Sequence, residues 1–182
     1  MRQLVLLLGC LTVVALTLGA PPVHAQSAAP LKDEALRDWV AMKDRMMKIA
    51  DAMPADKFGY KSTPAQRNYG EQVMHIVVVD NAVLRLLRPS TPAPTVNPSA
   101  TSKADILKAL SDSFDWGTAT LREQTDETML RVEQVPDALK FLGPSSRTRI
   151  ISFLLGHTWD VYGQMAVYLR LNGIVPPASA TP

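Results

Sequence analysis

Apolar residues recur at three-and-four spacing in four stretches of the chain, and each stretch predicts an amphipathic helix. The longest runs from Ser145 to Pro177, with Ile150, Leu154, Val161, Met165 and Tyr168/Leu169 on one face. Ser145 or Ser146 can cap its start after Pro144, and Gly173 stands where a left-handed residue ends a helix. In the first stretch, Leu31 to Met53, the apolar side is Leu36, Trp39, Val40, Met42, Met46, Met47 and Ile49/Ala50; Pro54 ends it. The second runs from Tyr69 to Arg88. Its wheel gathers Glu71, Asn81, Arg85 and Arg88 on a wet side, opposite His75, Val79, Ala82, Val83 and Leu86. Thr63-Pro64-Ala65-Gln66 reads as a capping box that feeds it. The third opens at Ser102 and carries Ile106, Leu107, Leu110, Phe114, Gly117 and Leu121.

The expected helices are therefore near 31–53, 69–88, 102–124 and 146–172. Residues 89–101 form a proline-rich loop, expected to join two antiparallel helices over the end of the bundle. Periodicity weakens between Thr125 and Pro144, which suggests an irregular connection with a helical turn near Val135 to Phe141. No segment alternates as a strand would. The pattern is that of an all-α fold, an antiparallel four-helix bundle with no sheet of any size.

The N-terminus changes the picture of where the domain begins. Arg2, the apolar run Leu4 to Leu18, and Val23-His24-Ala25 form a secretory signal, with cleavage expected after Ala25. Leu7-Leu8-Gly9-Cys10 resembles a lipoprotein box, but too little apolar chain precedes the cysteine, and the run is short for a retained anchor. Residues 26–182 are then one secreted or periplasmic domain, with a disordered tail at 178–182 and no stable membrane anchor. Cleavage removes Cys10, the single cysteine, so the mature chain has no disulfide, no thiol nucleophile and no C-x-x-C-H haem site. The formal charge of the full chain is only +2, and no basic stripe accompanies it, so nucleic acid is not an expected partner.

Two histidines remain, and both lie on apolar faces: His75 on the second helix, and His157 between Leu154 and Val161 on the fourth. Polar ligands in bundles project inward from facing helices, so the two are placed to meet. The ordinary alternative is a pair of neutral core imidazoles, bonded to each other, to Gln164, to a tyrosine or to water. The methionines are read as core filler rather than a metal box. Arg147 and Arg149 are read as a solvated face, and Arg170 as a salt bridge or helix-end contact. There is no nucleophile elbow and no glycine-rich phosphate loop.

An arginine followed by Tyr69-Gly70-Glu71-Gln72-Val73-Met74-His75, with His157, Gly163-Gln164, Tyr168-Leu169-Arg170, Gly173 and Pro176-Pro177, resembles the DinB-like (DinB/YfiT) superfamily of four-helix bundles. The segment Ala52 to Arg67 is similar to exported members. The resemblance covers essentially the whole mature chain. It implies a divalent metal, zinc or nickel, held by a histidine on helix two and an H-x3-H pair on helix four. Some members use such a metal in hydrolase or thiol-S-transferase chemistry. These positions are His75, His157 and Val161 here, so the third ligand is missing. Asp160 is the substitute within reach. The favoured reading is an exported, non-catalytic binding or structural module whose degenerate site holds zinc or nickel weakly or not at all. The alternative is a metal-dependent enzyme using His75, His157 and Asp160. The resemblance also implies a homodimer formed through helices where one assembles. It names neither substrate nor small-molecule ligand.

Overall fold

The computed structural model describes residues 30–180; the expected leader and the last two residues of the expected tail lie outside the described residues. Four long helices carry the core: α1 (Leu31–Ala52), α2 (Tyr69–Val83), α3 (Lys103–Arg122) and α5 (Arg147–Leu171). A single turn, α4 (Asp126–Met129), lies between the last two. Helix α1 packs on α3 and α5, and α2 packs on the same two, so α1 and α2 lie diagonally across the bundle. Among the described residues no helix is long and apolar enough to cross a membrane.

Pairing across the helices gives their directions. Lys103 bridges Asp51 while Lys43 bridges Asp115, so α1 and α3 are antiparallel. Gln72 bonds Gln164 and His75 meets His157, so α2 and α5 are antiparallel too. But Asn81 bonds Ser113, while a Cβ at Gly70 would touch Ile106, so α2 and α3 run the same way. The proline-rich loop therefore cannot simply turn over the bundle end. It returns along α3: Ser90 and Thr91 bond Glu123 near the helix's C-terminus, and Thr95 and Asn97 line a hollow with Ala109 and Asp112 further back. The length allows this, since extended proline-rich chain rises about 3.1 Å per residue against 1.5 Å in a helix.

The core follows the apolar pattern on α1, α3 and α5, but on α2 the expected face is not the buried one: of its residues only Val83 is fully buried, and Val73, Ile76 and Val77 fill the interior instead. Trp39, Met42, Met46, Ile49, Val73, Val77, Leu110, Phe114, Ile150, Leu154, Val161 and Met165 are all buried. The Trp39 indole lies against Phe114 with ring centroids 4.9 Å apart and donates to the Phe114 carbonyl at 3.0 Å. Gly117 makes that approach feasible, because any Cβ there would collide with the Trp39 ring. Six methionines fill the interior: Met42, Met46, Met53, Met74, Met129 and Met165. Val40, expected inside, is 47% exposed.

Several local expectations are corrected. Thr63 to Gln66 makes only a turn, with Gln66 N–H donating to the Thr63 carbonyl, so it caps no helix. The true N-cap of α2 is Asn68: its side chain accepts from the Glu71 N–H, and Glu71 accepts from the Asn68 N–H. The second helix is α-helical only to Val83 and tightens into a 3-10 turn at Leu84–Leu87. Arg88 then stops it at φ 54°, an unusual conformation for a side chain-bearing residue. Asn81, placed on the wet side by its wheel, is buried against Ser113, whereas Ala82 is exposed. A two-stranded ribbon exists where no sheet was expected: β1 (Val132–Glu133) pairs antiparallel with β2 (Ser145–Ser146). Between the strands a 3-10 turn, Asp137–Leu142, meets the expected helical turn. A 3-10 turn at Pro177–Ser179, at the start of the expected tail, packs on α1, and Arg170 reaches the Ser179 hydroxyl.

The ribbon has a structural consequence. It carries Glu133 beneath the start of α5, where Arg147 donates to it from Nε at 3.0 Å and from Nη2 at 2.6 Å. The other Arg147 terminal nitrogen reaches Gln124 at 2.8 Å, and Arg88 donates to the second Glu133 oxygen at 3.0 Å. Arg147 is thus buried in an ion pair and does not belong to a solvated face. Burial pushes the Glu133 carboxyl up, but the hydrogen bonds and charges of the two arginines outweigh it and hold the carboxyl below its ordinary range. Arg149 donates to the Leu142 carbonyl and the Ser145 hydroxyl, fastening the same corner.

Candidate functional site

Helices α2 and α5 cross where each presents a histidine. The two Nε2 atoms lie 3.0 Å apart, and the rings meet at 66° with centroids 4.9 Å apart. One imidazole donates and the other accepts, so at least one is neutral while that bond holds. The structure thus joins the histidines to each other. Gln164 does not bond either ring; it bridges Gln72 and Asp160. The His75 ring is half-buried, and so is His157, which is flanked by Phe153 at 6.1 Å in a near-parallel stack.

Both imidazoles are held below the ordinary value of 6.5. Burial is the main cause for each. The Arg67 charge lowers both further, His157 also lowers His75, and the Asp160 carboxylate works in the opposite sense. Burial thus favours the neutral form of both rings.

Around it runs a chain of amides. Gln72, fully buried, donates to Gln164 at 2.9 Å, and Gln164 donates to Asp160 at 3.0 Å. Two buried polar atoms are left without a partner at this site, Gln72 Oε1 and His157 Nδ1. The fixed amides orient Gln164 and hold Asp160 at the helix surface, where it is exposed. Val161, one turn beyond His157, is 1% exposed and faces the interior.

The donor geometry can be tested against a divalent metal. Zinc–nitrogen bonds of 2.0–2.1 Å at a tetrahedral angle place two nitrogens about 3.3 Å apart, so a small opening of the pair would make a two-imidazole chelate. A catalytic centre needs a third protein donor. Val161, four residues after His157 on the same helix, is buried and has no donor to offer, and Asp160 is exposed and bonded by Gln164. Among the described residues no three His, Cys, Asp or Glu side chains gather into a metal-binding group. The residues present do not fit a three-ligand centre.

Sequence reasoning reached the two histidines but not Gln72 or the influence of Arg67. The signal for Gln72 was available: it stands three residues before His75, on the same helical face. Asp80 was also missed. It is fully buried in α2 with both carboxylate oxygens unpartnered, and burial pushes its carboxyl well above the ordinary value.

A profile of the DinB superfamily matches residues 38–165 of the chain. Among solved structures, a DinB-like protein from Bacillus cereus superposes with a TM-score of 0.66 at 20% identity, covering 80% of this chain and 95% of that one. At that identity the likeness speaks for the fold. The comparison with curated proteins finds no match.

Proposed function

The chain belongs to the DinB superfamily, and from that premise we propose that it is a binding module of the family, non-catalytic, whose divalent-metal site is degenerate. One observation carries the reading: the two imidazoles are bonded to each other at 3.0 Å, with an apolar, buried Val161 where a third donor would stand. A neutral hydrogen-bonded pair is a stable end state for two core histidines, and a two-imidazole chelate holds zinc or nickel weakly. The leader-like start of the sequence, Met1 to Ala25, supports export as part of the same proposal. The intact mass of protein from its native compartment tests that part, with Gln26 expected as the first residue.

The metal reading is tested by calorimetric zinc titration of the native chain beside Val161→His. The native chain is expected to bind zinc weakly. The variant should bind at least a hundredfold more tightly through three imidazoles with an open fourth position. Tight zinc binding by the native chain, abolished by Asp160→Ala, would establish the altered-ligand enzyme instead. If Val161→His gains no affinity, the histidine pair is not a remnant of a metal site.

A further inference from the structure

Between the segment before α2 and the C-terminal half of α5 lies an open groove of about 470 Å³, lined by Ser62, Gln66, Arg67, Gln164, Val167 and Tyr168. Its polar lining holds one guanidinium, Arg67, beside the amides of Gln66 and Gln164 and the hydroxyl of Ser62. Among the described residues Arg67 makes no ion pair and its guanidinium no hydrogen bond, although its charge acts on both histidines. An exposed arginine is ordinarily a solvated and mobile one. Here the backbone beneath it is fixed: the Tyr168 hydroxyl donates to the Arg67 carbonyl at 2.6 Å. Tyr168 is itself only 3% exposed, wedged between Tyr60 at 6.0 Å and Tyr69 at 6.2 Å. Gln164 is also preset, because its oxygen accepts from Gln72 and leaves its amide hydrogens for Asp160 and the groove.

Resting on the reading of this chain as a binding module, we propose that the groove takes a small organic carboxylate, its head on Arg67 and its apolar body on Val167. The planar guanidinium offers donors in a fork that matches a carboxylate in a bidentate pair, and the Gln164 amide and the Ser62 hydroxyl add donors beside it. Val167 lines the same groove and is 49% exposed, which favours a ligand with a hydrophobic body over a bare inorganic anion. Because the loop backbone and the Gln164 amide are already held, little ordering is left to oppose binding.

The test is a calorimetric titration of the full chain at low ionic strength, with a chelator present so that no metal contributes. The probes are phenylacetate, acetate and inorganic phosphate. Phenylacetate should bind one-to-one, at least threefold more tightly than acetate and tenfold more tightly than phosphate. Arg67→Gln should weaken it at least tenfold, and Arg122→Gln, an exposed arginine elsewhere, should not change it. Val167→Asp, a surface change that sets a carboxylate on the apolar wall, should weaken it comparably and provides a second variant if the first folds poorly. Unchanged binding in Arg67→Gln, no binding of phenylacetate, or equal affinity for phosphate overturns the proposal. These results are independent of the zinc titration, which reads the histidine pair without any carboxylate.

Discussion

Two polar clusters interrupt the apolar interior along α5, about three turns apart. At the start of the helix, Arg147 and Glu133 close on each other, with Gln124 and Arg88 taking up further hydrogen-bonding capacity. Near its middle, His157 and His75 share one hydrogen bond and leave His157 Nδ1 and the neighbouring Gln72 Oε1 without partners. Both clusters tie α5 to a distant segment. Only the first is complete. A buried charge is tolerated when its partners are supplied by the fold, which makes the arginine cluster a fastening. The second leaves two buried polar atoms unanswered, each carrying the cost of an unmade hydrogen bond.

The largest effect should come from breaking the closed cluster. Glu133→Ala leaves Arg147 buried with only Gln124 to answer it and should cost about 3–5 kcal/mol, read as a lowered denaturant midpoint. The double variant Glu133→Leu with Arg147→Met should lose less than that single change, because no orphaned charge remains. If the single change costs under about 1 kcal/mol, the fastening reading fails.

At the open cluster the corresponding change is additive in character. Val161→His exchanges a buried apolar side chain for a polar ring and should destabilise the metal-free protein by about 1–3 kcal/mol. Saturating zinc should return that loss, since a ligand bound by the folded state alone stabilises it. A thermal melt with and without zinc reads both.

Acid separates the histidines from Asp80. Both imidazoles bind protons less readily folded than unfolded, so their contribution is complete above pH 6.5 and declines as pH falls below it. Asp80 behaves oppositely. Its carboxyl is raised, so the folded chain holds a proton there that the unfolded chain has released, and stability is lost as pH rises above 3.8. The loss continues with rising pH until the folded carboxyl itself ionises. Asp80→Asn should remove that slope. His75→Gln with His157→Gln should remove the smaller decline below 6.5, reduced because both rings are half-exposed. Chemical denaturation from pH 4 to 8 resolves the two, and an unchanged profile in Asp80→Asn would mean that water reaches the carboxyl.

The smallest change expected is Tyr168→Phe. Losing the hydroxyl's bond to the Arg67 carbonyl should cost about 1 kcal/mol, with faster amide exchange confined to the segment before α2.

The apolar spacing by itself determined four helices and, on α1, α3 and α5 though not on α2, the buried faces; of the face expected on α2 only Val83 is fully buried. A periodic stripe can be buried on only one face. Leu154, Val161 and Met165 are inside for that reason, and His157 is carried onto the same stripe. The meeting of His75 with His157 also follows, once α2 and α5 are neighbours. What spacing could not encode is which helices run in the same direction. The parallel course of α2 and α3 sends the proline loop back along the bundle, a matter of packing across distant segments. The buried state of Arg147 was equally hidden, because its partner Glu133 arrives on a two-residue ribbon with no periodicity of its own. Asp80 and Asn81 defeat a helical wheel for a related reason. A wheel sorts residues by polarity, whereas the fold sorts them by angle, and α2 is enclosed on more sides than its polar residues suggest. Tertiary structure alone decided that the imidazoles bond each other, that Asp160 turns out to Gln164, and that Arg67 stands over an open groove. Each of these depends on side chains reaching across helices, at distances that local sequence does not set.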